Sequence, residues 1–97
     1  MNPEQQTQIE AAAFRRLLAH LDDRKDVQNI ELMILAGFCR NCLSKWYKTA
    51  ADELGANIDL EDARHSVYGM SYSQWKANHQ AQATPEQLAA MAAQNPS

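Results

Sequence analysis

Apolar positions along the chain recur at helical steps from its first residues. Ile9, Ala13, Phe14, Leu17, Leu18 and Leu21 follow one another at three- and four-residue intervals, which draws one stripe of an amphipathic helix. Asn2-Pro3-Glu4-Gln5 supplies its start: Asn caps, Pro suits a first turn whose N–H groups have no partner, and Gln5 can close a capping box. The stripe stops at Asp22-Asp23-Arg24-Lys25-Asp26, a charge density that reads as a solvated turn.

A second segment runs from about Val27 to Leu54, with Asp26 or Asn29 as its cap and Gly55 followed by Asn57 as its stop. As one helix it would be about 42 Å long, against a diameter of about 32 Å for a compact domain of this size. The segment therefore either kinks, with Gly37 as the natural place, or projects beyond its own subunit. From Ile30 to Phe38 it is apolar nearly all round, and a helix with no polar face must be covered on every side. So short a chain has few elements left to cover it, which favours an intertwined homodimer built around this segment.

Shorter helices follow. Asp59-Leu60-Glu61-Asp62 opens one that reaches about Tyr68, before Gly69. Ser71-Tyr72-Ser73-Gln74 opens another carrying Trp75 and His79, and Thr84-Pro85-Glu86-Gln87 starts a last one through about Gln94. With only Leu88 and Met91 as large apolar residues there, the end of the chain, about 92–97, is expected to fray. The prediction is a single all-α domain over 1–97, with four to five helices around a long apolar central helix.

Composition agrees. Val, Ile and Thr together make only 9 of 97 residues, while Ala contributes 16, Gln 9 and Leu 9, so a sheet protein is excluded in practice. A net charge of −3 gives no reason to expect nucleic-acid binding. A patch of Arg40, Lys45 and Lys48 with Trp46 and Tyr47 is the weak counter-argument. The longest apolar run, Leu32 to Cys39, has eight residues and is far short of the roughly 20 that cross a bilayer. The opening Met1-Asn2-Pro3-Glu4-Gln5 lacks the basic and apolar regions of a secretory signal, so a soluble cytoplasmic protein with reduced thiols is expected.

Candidate chemistry centres on Cys39-Arg40-Asn41-Cys42, whose spacing suits a redox dithiol or half a zinc site. The plainer reading makes the cysteines core, because Leu32, Leu35, Cys39, Cys42 and Trp46 would share one face of a continuous helix. A thiolate needs a helix N-terminus or a cation, so the redox reading turns on whether the helix breaks at Gly37 and on Arg40. Zinc would need two further ligands, with His20, His65 and His79 as candidates, or cysteines pooled across a dimer. A pocket framed by Arg40, Tyr68, Tyr72, Trp75 and His79 is the remaining site candidate. No catalytic residue can be named: G-x-S-x-G, H-E-x-x-H and Gly-rich phosphate loops are all missing from the sequence.

The run Gly37-Phe38-Cys39-Arg40-Asn41-Cys42-Leu43-Ser44-Lys45-Trp46-Tyr47, with Tyr68-Gly69-Met70-Ser71-Tyr72 and Trp75-Lys76, resembles short bacterial proteins of the domain of unknown function 1244 family. The likeness extends over roughly Ile9 to Met91. It implies a small multihelical fold, a homodimer and a bacterial cytoplasm, and carries no activity or catalytic residue. The expectation is thus a homodimeric binding or regulatory module without catalysis or cofactor and with an unidentified protein partner. The alternative is a zinc-binding or thiol-redox protein using Cys39 and Cys42.

Overall fold

A computed structural model describes residues 1–93, which form six helices: α1 (Pro3–Asp23), α2 (Asn29–Ala36), α3 (Arg40–Glu53), α4 (Leu60–Tyr68), α5 (Tyr72–His79) and α6 (Pro85–Ala92). The all-helical expectation is met, with one helix more than foreseen. Ala92 closes α6; the rest of the segment expected to fray, including Gln94, lies outside the described residues apart from Ala93.

The extra helix comes from a break in the central segment. Gly37 adopts φ +76°, a left-handed conformation that an L side chain resists, and its N–H closes α2 onto the Met33 carbonyl. Phe38 and Cys39 follow before α3 begins at Arg40. The long apolar central helix is thus two helices, and the face running from Leu32 to Trp46 does not exist: Leu35 is 84% exposed and Trp46 58%, whereas Cys39 is buried. The cap of α2 is also neither Asp26 nor Asn29. It is Gln28, whose backbone N–H donates to the Glu31 carboxylate.

Other ends fall where side-chain chemistry places them. Asn2 and Gln5 form the reciprocal box, as do Asp59 with Asp62 and Thr84 with Gln87; Ser71 accepts from the Gln74 N–H. Each such cap is worth about 1 kcal/mol. Gly69, at φ +74°, ends α4 and lets the chain turn into α5.

The core joins Leu21 of α1, Leu43 of α3 and Val67 of α4, with Phe14, Leu18, Leu32 and Phe38 packed against them. α3 lies along α4, and α6 leans on α2. The molecule is elongated, 48 × 27 × 24 Å, because residues 1–10 extend into solvent at one end of α1.

Candidate functional site

The break at Gly37 makes Cys39 the N-cap of α3, so the four residues of the Cys-x-x-Cys motif occupy one helical turn and point in different directions. Cys42 returns beside Cys39, with the sulfurs 3.9 Å apart and both cysteines free. The Cys42 Sγ also lies 3.8 Å from Met33 Sδ on α2. Burial pushes the Cys39 thiol above its ordinary pKa, while the amides of Cys42 and Asn41 pull it back. The helix start needed for a stabilised thiolate is present, yet desolvation outweighs it.

Arg40 does not serve the thiols. Only 2% of it is exposed. Its Nη1 donates to the Val27 carbonyl at 2.7 Å and to Asn29 Oδ1 at 3.1 Å. Its Nη2 donates to the carbonyls of Arg24 at 2.9 Å and Leu21 at 3.3 Å. The guanidinium therefore sits on the carbonyl end of α1, where a cation answers the helix dipole, and fastens the 21–27 turn to α3. Burial lowers its pKa, but an arginine keeps its proton.

Asn41 turns toward the aromatics. Tyr68 OH donates to Asn41 Oδ1 at 2.9 Å and accepts from Asn29 Nδ2 at 3.1 Å; Asn41 Nδ2 reaches Tyr72 OH at 3.4 Å. A hydrogen-bonded chain thus runs from Arg40 through Asn29, Tyr68 and Asn41 to Tyr72. Burial holds the Tyr68 phenol well above its ordinary value of 10.0. Trp75 packs at a tilt against Tyr68, ring centroids 5.2 Å apart, and His79 against Trp75 at 6.0 Å.

These contacts revise the expected pocket. Arg40, Tyr68 and Trp75 are core side chains, each 3% exposed or less. Tyr72 alone of the five borders a groove of about 420 Å³, with Gln28, Asn29, Asn41, the 80–83 segment and Leu88. Gln28 holds that segment in place: its Nε2 donates to the His79 carbonyl at 2.9 Å and its Oε1 accepts from the Ala81 N–H at 2.8 Å. The proposed zinc set is brought together only in part. Cys39 and Cys42 meet, His65 is exposed on α4, and His79 lies against Trp75. Among the described residues no three His, Cys, Asp or Glu side chains gather as a metal site. The basic patch loses Arg40 to the core, and Lys48 pairs with Asp52.

Sequence reasoning missed Met33 and Asn29. Neither belongs to a motif, and both reach the site only because the chain reverses at Gly37.

A family model described as "Protein of unknown function (DUF1244)" matches residues 27–93. The chain belongs to the DUF1244 family. The matched region holds the Cys-x-x-Cys turn, its hydrogen-bonded chain and α2 to α6, while α1 precedes it. A comparison with curated proteins finds no match. Among the described residues no helix is long and apolar enough to cross a membrane.

Proposed function

We propose that this DUF1244 protein is a homodimeric binding or regulatory module of a bacterial cytoplasm, with no catalysis of its own. One observation carries the reading: α2, the most apolar helix, has no buried residue within a single chain. Leu35 is 84% exposed there, and beyond α2 the half-buried Phe38 packs at a tilt against the 58%-exposed Trp46, ring centroids 6.1 Å apart. Ile9 and Leu17 of α1 are also open to solvent. An apolar helix with no buried residue in its own chain suits a protein interface, and a second copy is the occupant argued for here.

Sedimentation of the full chain at micromolar concentration tests this, with a dimer expected. Leu35→Asp should yield a folded monomer, because so exposed a side chain supports little of its own subunit. A monomeric parent protein would overturn the reading.

A second reading has its own support, the 3.9 Å separation of Cys39 and Cys42 at the start of α3. On this reading the pair is a metal-binding or thiol-redox site, zinc included. Native mass spectrometry of protein prepared without chelator checks it: bound metal or a reversible loss of two protons supports it, and a metal-free dithiol inert to oxidants counts against it.

A further inference from the structure

We propose that Cys39, Cys42 and Met33 form a three-sulfur site for a soft monovalent cation, Cu(I). The inference deepens the paired-thiol reading above and rests on it. The Cys42 sulfur lies 3.9 Å from the Cys39 sulfur and 3.8 Å from the Met33 sulfur. Metal–sulfur bonds of about 2.3 Å turn those separations into two S–metal–S angles of about 110–120°, in the range of a three-coordinate ion. The three side chains come from two helices, and the Gly37 reversal brings them together.

The donor set selects the ion. Thiolate and thioether are soft ligands and favour Cu(I), which accepts two or three of them. Zinc prefers four ligands drawn from Cys, His and carboxylates, and among the described residues no third side chain of that kind joins the cysteines. On binding, each thiol releases its proton to solvent, both sulfurs bond to the metal, and copper stays in the +1 state. Cys42 and Met33 are only half-buried, which leaves the ion a way in.

The test is anaerobic titration of the reduced full chain into Cu(I) held by bicinchoninate, followed by X-ray absorption of the product. The expected results are one copper per chain, and three sulfur neighbours at about 2.3 Å. Met33→Leu, which keeps the packing volume, should weaken binding by about tenfold or more, at least what loss of an outer-shell partner costs a metal site. Cys42→Ser should abolish stoichiometric uptake; circular dichroism checks that each variant remains folded. No transfer from the competitor, affinity unchanged in Met33→Leu, or only two sulfur neighbours would each overturn the proposal. If copper is refused while Cys39 and Cys42 oxidise reversibly to a disulfide, the copper site fails and the paired-thiol reading survives.

Discussion

Arg40 lies over the Trp75 ring, its guanidinium carbon 4.9 Å from the ring centroid, with both side chains almost wholly removed from solvent. The stacked face leaves the edge of the guanidinium free to donate, and the edge meets the carbonyls of Leu21, Arg24 and Val27. A planar fork is required to serve this many acceptors at once. Arg40→Ala should therefore cost about 3–5 kcal/mol, since removal strands several acceptors out of water. Arg40→Lys should recover little of it. Urea unfolding of the two variants beside the parent checks both expectations.

The Tyr68 phenol sets an alkaline limit. Its pKa is raised by burial above the 10.0 of the exposed group, so above pH 10 the unfolded chain loses a proton that the native state keeps. Stability is fully present below that pH and declines as pH rises toward the native value. Tyr68→Phe should flatten this decline, while costing about 1–3 kcal/mol at neutral pH because Asn29 and Asn41 lose their common partner. Unfolding midpoints measured from neutral to strongly alkaline pH separate the two effects.

At Gly37 an added Cβ would meet nothing within 4 Å, so the cost of Gly37→Ala is conformational alone. The left-handed backbone predicts a loss of about 1–2 kcal/mol. Gly37→Asn should lose less, because asparagine tolerates that region better. The order Gly, Asn, Ala in thermal midpoints is the check.

Gln28→Ala removes both hydrogen bonds that hold the 79–81 backbone. A loss of about 1–2 kcal/mol is expected. The Ala81 amide should also exchange with solvent faster than in the parent, which hydrogen-exchange mass spectrometry reads directly.

Most helix boundaries were legible because they rest on local chemistry. Asn2 with Gln5, Asp59 with Asp62, Ser71, and Thr84 with Gln87 act within one turn of sequence, as do Gly55 and Gly69. The Gly37 break was visible only as one of two outcomes, since the apolar run from Ile30 to Phe38 has no polar face to reveal a change of direction. Arg40 misled for a related reason. A charged residue beside two cysteines suggests help for a thiolate, and nothing local shows that the carbonyl end of α1 will stand opposite it. Met33 was illegible because its relation to Cys42 is made by the turn between α2 and α3 and follows no spacing rule.

The first turns of α1 have a thermal consequence. Residues 1–10 are exposed on all sides, so that stretch has the Asn2 cap and its own backbone bonds but little tertiary support. Helices of two or three turns are marginal in water without such support. On warming, this arm should unwind from its tip well before the body melts, giving a sloping rather than flat helicity baseline. Anything that covers Ile9 would straighten that slope, so the arm serves as a built-in gauge of whether its apolar side is occupied.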